Sequence, residues 1–501
     1  MSVLPLSVTT QDWLKRPVPF WINGAGVTSE TKKSLINPAN GQAFAEVYSA
    51  DASHVDSAVE VARNCFDTSE WTTMNPSQRA RIMWRLADLV DQHAQQLGEL
   101  ESLCMGKPLV AAAHMEVPFF AETLRYYAGW CSKISGNAAA LCFPAGDLHG
   151  LTIHDPVGVV GMILPWNGPL VIAGWKLAPA LATGCTCVIK PADCTPLSLL
   201  YFAQLAQQAG LPDGVLNIVT GAGSIVGAAI AAHPHINKLA FTGSTSVGRQ
   251  LVQASGSSNL KQLTLELGGK SPIIIFADTD LSAAVDGIAD AIFGNSGQVC
   301  VAGSRLYVHT DIRAKLVERL IAKAATLKVG NPFDEHTDMG PLASHKHREQ
   351  VHRRVQQGIS QGAQLLCGGQ YVELDGGAYY PPTILSVVDQ NNPLVQEEIF
   401  GPVLVVAEFT NEAEVIELAN GTDYALAGSV WTQNIDLALR MARRLYCGIV
   451  WVNSHNIPDL NMPIGGHGMS GWGRELGQAG LMEYLQTKSV MIKIAPTLET
   501  L

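Results

Sequence analysis

Apolar residues recur at three- and four-residue spacing between Asp51 and about Gln95, first in SHVDSAVEVARNCF and again in PSQRARIMWRLADLVDQHAQQL. That period predicts two packing helices. Ser53 is the expected N-cap of the first. Asn75 directly before Pro76 starts the second, because proline is favoured at the first helical position. Another long helix is expected from Leu109 to Cys131. Beyond Leu151 the pattern changes to short β-branched runs alternating with helical ones: VGVVGMILP, LVIAGWKLAPALATG, CTCVIKP, LSLLYFAQLAQQAG, VLNIVTG and INKLAFTG. A helix from about Ser246 to Ala254 and the run LKQLTLELGG continue the rhythm. Such alternation is the signature of βαβ units on a parallel sheet, and the economical reading is a Rossmann-like, doubly wound domain.

A second α/β unit starts near Lys270 with SPIIIFAD and continues through SRLYVHT, the helix DIRAKLVERLIAKAATL and strands near LVVAEF and GSVWT. The tail KSVMIKIA alternates at strand period after the cluster GWGRELGQAG. A terminal strand needs a sheet to join, and another subunit could supply it. At 501 residues the chain is too long for one small core and suggests roughly three folding units.

Composition narrows the function classes. With 47% hydrophobic and 15% charged residues, the chain suits an extensively buried enzyme and excludes disorder. Its net charge of −11 comes without a basic cluster, so the phosphate-neutralising surface of a nucleic-acid binder is missing. No run of 18 apolar residues without a charge occurs, and MSVLPLSVTTQDW lacks a signal-peptide layout, so the protein is expected to be soluble and cytoplasmic, with no membrane partner. Ten scattered cysteines with no CxxC pair and no histidine cluster at ligand spacing argue against disulfides and against any metal site.

Two positions carry candidate chemistry. Cys300 lies in FGNSGQVCVAGSR, wrapped by Gly294, Gly297 and Gly303, with the amide of Asn295 nearby. Glu266 is the only charge ahead of the paired glycines in the apolar run LTLELGGKSP. A lone cysteine is usually a small buried hydrophobe, whereas a carboxylate in an apolar strand costs several kcal/mol unless it is paired, hydrogen-bonded or protonated. Together the two read as a nucleophile and its base acting on an aldehyde carbonyl.

Six further stretches stand in order: PWNGP at 165–169, KPADCTP at 190–196, FTGSTSVG at 241–248, LELGGKSP at 265–272, GQVC at 297–300 and EEIFGPV at 397–403. On these motifs the chain resembles the NAD(P)-dependent aldehyde dehydrogenases over essentially its whole length, and on the stretches GIVWVNSHNIPDLNMPIGG and LRYYAGWCSKISG it looks closest to their phenylacetaldehyde-oxidising members. The resemblance implies an α/β aldehyde dehydrogenase-like fold. A Rossmann-like NAD-binding domain would occupy 1–131 and 154–265, a second α/β catalytic domain 266–479, and a small β oligomerisation element 132–153 and 480–501. A homodimer or homotetramer is the implied assembly.

By the same resemblance Cys300 attacks the aldehyde, Asn167 and the Cys300 N–H hold the oxyanion, Glu266 activates water, and Lys176 with Glu475 relays the proton. Taken alone, Asn167 is equally a turn residue, and Lys176 equally a salt-bridge partner within its own helix. The implied cofactor residues are Ile163, Leu164, Pro165, Trp166, Lys190, Asp193, Gly223, Phe241, Gly243, Ser244, Val247, Leu267, Gly268, Glu398 and Phe400. FTGSTSVG does not match GxGxxG and is by composition a plain loop, but its place before a helix suits a pyrophosphate. Where the family usually has KPSE this chain has KPAD. Asp193 still repels a 2′-phosphate, which favours NAD, while its shorter reach leaves NADP as second choice.

Substrate-pocket candidates are Phe119, Gly168, Trp175, Gly294, Val299, Val301, Ile457 and Ile464. Gly168, Gly294, Ile457 and Ile464 stand where aromatics are frequent in the family, so a widened apolar channel for an arylalkyl, terpenoid or long-chain aldehyde is expected. Betaine aldehyde would want an aromatic cage, and two of its walls are absent. A CoA-acylating relative and a non-catalytic binding protein on the same fold are the other readings.

Overall fold

In the computed structural model, residues 6–142 and 148–494 are described. The helical periodicity of the N-terminal third becomes Ala52–Thr68, Pro76–Gln92 and Ala94–Met105. Asp51, rather than Ser53, caps the first, because its carboxylate accepts the His54 N–H while the His54 ring reaches back to the Asp51 N–H. Asn75 caps the second, with Pro76 in its first turn. Ala94–Met105 lies beyond the expected end near Gln95; it ends at Gly106, whose φ of 84° is the left-handed stop that glycine supplies. The helix expected from Leu109 is interrupted by a π-turn over Ala112–Glu116 before continuing as Val117–Ala128.

Five parallel strands form the middle of an eight-stranded sheet, in the spatial order Leu216–Ile218, Thr186–Lys190, Val159–Ile163, Lys238–Thr242, Gln262–Glu266. Numbered by sequence, this order is 3-2-1-4-5. The direction of winding reverses between Val159–Ile163 and Lys238–Thr242, and ligands bind such sheets outside the strand ends at that crevice. Antiparallel edges are added by Phe20–Ile22 and, from far along the chain, by Gly471–Trp472, which pairs Gly471 with Glu266.

The second sheet has seven strands, parallel except for the edge Gln364–Cys367, with Pro272–Ile275 between Arg305–His309 and Ala427–Trp431. Only residues 267–271 separate it from the first, so Glu266 ends one sheet at the threshold of the other. The terminal strand Leu485–Lys493 pairs within its own chain, against Leu148–Pro156 over nine residues. Residues 143–147 and 495–501 of the expected oligomerisation element lie outside the described residues. No helix among the described residues is long and apolar enough to cross a membrane, and all ten cysteines are free.

Candidate active site

The stretch that carries Cys300 is folded by three successive left-handed residues, Asn295 (φ 50°), Ser296 (φ 55°) and Gly297 (φ 71°). That strain, in two non-glycine residues, is held by ties on all sides. Ser296 Oγ donates to Gly340 O at 2.8 Å, and Gln298 Oε1 accepts the Ala343 N–H at 2.9 Å. Asn295 Nδ2 donates to Asn167 O at 3.1 Å and to Gln298 O at 3.2 Å. Cys300 then occupies the second position of a turn closed by Ala302 N–H to Val299 O at 3.0 Å.

Asn167 reaches this turn from the loop after Val159–Ile163. Its Nδ2 donates to Gln298 O at 2.9 Å. An amide nitrogen has two protons, so one remains for a substrate oxygen. Lys107, buried and ion-paired with Glu116, supports the loop by donating to Asn167 O at 3.3 Å. Neither Lys107 nor Glu116 was singled out in the sequence, because nothing in their spacing relates them to residue 167.

Glu266 is buried, and its Oε1 has no hydrogen-bond partner among the described residues. Burial pushes its carboxyl well above the usual range, with Glu475 adding to the rise and Lys176 opposing it. Lys176 and Glu475 form a fully buried ion pair between the helix Pro169–Thr183 and the chain just before Gly477–Met482. The Glu475 backbone exchanges both hydrogen bonds with Ile464 at 2.8 Å. The Cys300 thiol is pushed up to about 12, first by burial and then by Glu266 and Glu398. The free site therefore does not hold a ready thiolate; the thiol proton must pass to a base, and a carboxylate of raised affinity for protons is suited to take it.

On the cofactor side, Thr245–Gly256 begins at Ser244, whose Oγ accepts the Val247 N–H at 3.4 Å. A cavity of about 750 Å³ opens beside this helix start, between Ser244–Ser246 on one wall and His347, Arg353, Arg354, Glu398 and Phe400 on the other. Glu398 accepts the Gly269 N–H at 3.0 Å, and burial raises its carboxyl to about 7. Phe400, at φ 60°, meets Trp166 edge-on at 5.3 Å. Lys190 Nζ donates to Asp193 Oδ1 at 2.8 Å, and Lys33 approaches the other oxygen at 3.5 Å. Free helix N–H groups, a buried ammonium at a strand end and a cavity at the crevice fit a dinucleotide such as NAD. Ile163, Leu164 and Pro165 form the end of the central strand and its exit, with Phe241 and Gly243 at the end of the neighbouring one. Leu267 and Gly268 lie just beyond Glu266, the Gly268 carbonyl taking the Ser470 hydroxyl at 2.7 Å, and Gly223 opens a π-turn after Leu216–Ile218.

Around Cys300 lies an apolar cluster of Val301, Leu426, Ala427, Ile464 and Leu476, joined by Trp175, Val299, Cys300, Ile449, Trp451 and Leu460. It brings together four of the expected pocket residues, Trp175, Val299, Val301 and Ile464. A side chain at Gly294 would meet open space, and one at Gly168 only ordinary contact with Ile172 and Val171. Phe119 stays half-buried on Val117–Ala128 outside this cluster, and Ile457 is 62% exposed. Leu426, Ile449, Trp451 and Leu460 were not anticipated; as strand and loop apolar residues they carry no pattern that separates a pocket wall from core.

The model of the aldehyde dehydrogenase family matches residues 24–490. Phenylacetaldehyde dehydrogenase of Pseudomonas fluorescens is 45% identical over 492 residues, 97% of this chain and 98% of that protein. Retinal dehydrogenase 2 of Gallus gallus is 45% identical over 478 residues, 95% of this chain and 92% of that protein. The NAD+ complex of an aldehyde dehydrogenase from Bacillus cereus superposes with a TM-score of 0.96 at 42% identity, covering 98% of this chain and 100% of that one.

Proposed function

The chain belongs to the aldehyde dehydrogenase family, NAD(P)-dependent oxidoreductases of aldehydes, and we propose that it oxidises a bulky hydrophobic aldehyde to the carboxylic acid, with NAD as acceptor and Cys300 as nucleophile. The observation that carries this reading is the apolar cluster around Cys300, which contains two tryptophans, together with the open space at Gly294 and the merely ordinary contacts that a side chain at Gly168 would make. Such walls favour an arylalkyl, terpenoid or long-chain chain over a small polar one.

The steps follow from the residues. The Cys300 Sγ bonds to the aldehyde carbon while the thiol proton passes to Glu266. The free Nδ2 proton of Asn167 and the Cys300 N–H receive the developing oxyanion, a type of donor worth about 2.7 to 4 kcal/mol. Lys190, Asp193, Ser244 and Glu398 would hold NAD, which when bound would supply the two-electron acceptor for the hydride of the thiohemiacetal C–H, so that the carbonyl re-forms as a thioester on Cys300. Glu266 hands its first proton toward the Lys176–Glu475 pair and then draws one from water. That oxygen bonds to the acyl carbon, the C–S bond breaks, and the carboxylic acid leaves as Glu266 returns its proton to the departing Cys300 sulfur, restoring both thiol and base. The presence of Glu266 favours water over CoA as the acyl acceptor.

The test is NADH formation across acetaldehyde, phenylacetaldehyde, cyclic terpene aldehydes and retinal, with wild type, Cys300→Ala and Glu266→Gln. The expected result is highest kcat/KM on a bulky apolar aldehyde, no turnover by Cys300→Ala, and loss of both the first burst of NADH and steady turnover with Glu266→Gln, which lacks the base for both steps. Equal kcat/KM on acetaldehyde would refute the substrate reading.

A further inference from the structure

Just past the strand Ile449–Val452 the chain turns back at two left-handed asparagines, Asn453 (φ 53°) and Asn456 (φ 56°). Between them His455 is driven inward and is 7% exposed. Its Nε2 lies 2.7 Å from Val301 O, and its Nδ1 2.9 Å from Ser429 Oγ. A carbonyl can only accept, so Nε2 carries the proton and Nδ1 is bare. Ser429 agrees with that assignment: its oxygen accepts the Trp431 indole N–H at 3.3 Å, which leaves its own proton for His455 Nδ1. The chain of donors runs one way, Trp431 to Ser429 to His455 to Val301, and fixes a single tautomer.

Val301 follows Cys300 in the nucleophile turn, and its backbone partly offsets the rise in the Cys300 thiol's proton affinity. The residue next to the nucleophile therefore gives its carbonyl to His455. On its other side the imidazole lies 5.0 Å from the Trp451 ring, and the Trp451 indole N–H holds Ile457 O at 3.0 Å. Trp451 belongs to the apolar cluster around Cys300.

We propose that His455 is a positioning residue for the oxidation: held as its Nε2–H tautomer by Ser429, it fixes the Val301 peptide so that Cys300 is presented to the aldehyde, and it ties that turn to the aromatic wall of the pocket. The proposal rests on Cys300 being the nucleophile. A purely structural histidine would affect stability without regard to which donor replaces it. A positioning one is replaceable by a side chain that donates to Val301 O and accepts from Ser429, and glutamine can do both.

The experiment compares His455→Gln, His455→Phe and Ser429→Ala with wild type in three measurements: the pH profile of Cys300 alkylation by iodoacetamide, followed on its tryptic peptide; kcat and KM for phenylacetaldehyde; and the thermal midpoint. His455→Phe is expected to slow alkylation and kcat at least tenfold, with KM changed less than threefold. His455→Gln should stay within threefold of wild type, and Ser429→Ala should fall between. Equal impairment by Gln and Phe, or unchanged alkylation in Phe, overturns the proposal. Where His455→Phe fails to fold, Ser429→Ala decides: alkylation at the wild-type rate overturns it, and a slowed rate with an unchanged midpoint supports it. Turnover by Cys300→Ala would instead refute the nucleophile itself, a separate failure.

Discussion

Lys176 and Glu475, 299 residues apart in sequence, form a buried ion pair beside the unpartnered carboxylate of Glu266. In that buried setting Glu475 raises the proton affinity of Glu266, while Lys176 and, more weakly, Arg474 oppose the rise. Removing either end of the pair should move the active-site base in opposite directions. Lys176→Met takes away the cation, so Glu266 holds its proton to higher pH and the rising limb of kcat against pH moves up by about one unit or more. Glu475→Gln removes the like charge and leaves the cation, so that limb moves down. Because a base works only when deprotonated, the rate loss in Lys176→Met should shrink as pH rises. Breaking a buried pair also destabilises by about 3 to 5 kcal/mol, so both variants need a melting control. Two limbs moving the same way would show that the pair is not coupled to the base.

The parallel-sheet alternation was legible because buried βαβ strands such as Val159–Ile163 and Thr186–Lys190 are continuous apolar runs bounded by helical ones. Glu266 drew notice in the sequence because a carboxylate is out of place in an apolar strand, and Cys300 because glycines surround it. What stayed hidden depends on contacts between distant segments. The antiparallel partner of the Glu266 strand arrives from Gly471–Trp472, and two residues are too short to have a period. His455 sits among loop residues in the sequence, and only the fold shows that its ring is enclosed. The Ser53 expectation failed for a local reason: Asp51 and His54 form a reciprocal cap that competes better for the same N–H groups.

Gly168 and Gly294 should set the width of the channel. A phenylalanine at 168 would extend from a site where the first added carbon makes only ordinary contacts, so Gly168→Phe is expected to fold normally. It should lower kcat/KM at least tenfold for cyclic or branched aldehydes while leaving acetaldehyde within threefold. Asn167→Ala, one residue away, should cost about 100- to 1,000-fold on every aldehyde, because it removes an oxyanion donor. A uniform loss in Gly168→Phe would mean that the substitution disturbed Asn167 rather than the wall.

Lys33 was not anticipated beside Asp193. Its ammonium lies 3.5 Å from Asp193 Oδ2, while Lys190 holds Oδ1. Asp193 thus faces two cations, which weakens its repulsion of a 2′-phosphate. Lys33→Gln should raise the preference for NAD over NADP about three- to tenfold, mainly through KM for NADP, and the difference should shrink at high salt because Lys33 is half-exposed. Dissociation constants from nicotinamide-independent binding, such as tryptophan quenching, would check it. A wild-type preference unaltered by Lys33→Gln would leave Asp193 alone as the discriminator.

His455 makes a prediction about stability as well as rate. Burial lowers its pKa from the usual 6.5 to about 4, so the folded protein keeps the ring neutral while the unfolded chain protonates it. Above pH 6.5 neither state binds the proton and the histidine contributes no pH dependence. As pH falls from 6.5 toward 4, the unfolded state gains a proton that the folded state refuses, and stability drops by about 1.4 kcal/mol per unit at most. Below 4 both states are protonated and the loss levels off. His455→Gln should remove this slope, leaving the acid loss due to other groups. The difference in unfolding free energy between the two proteins, measured by denaturant at several pH values, is therefore expected to favour the variant increasingly from pH 6.5 down to 4. A constant difference across that window would mean that the histidine protonates in place, with Ser429 turning to accept from it.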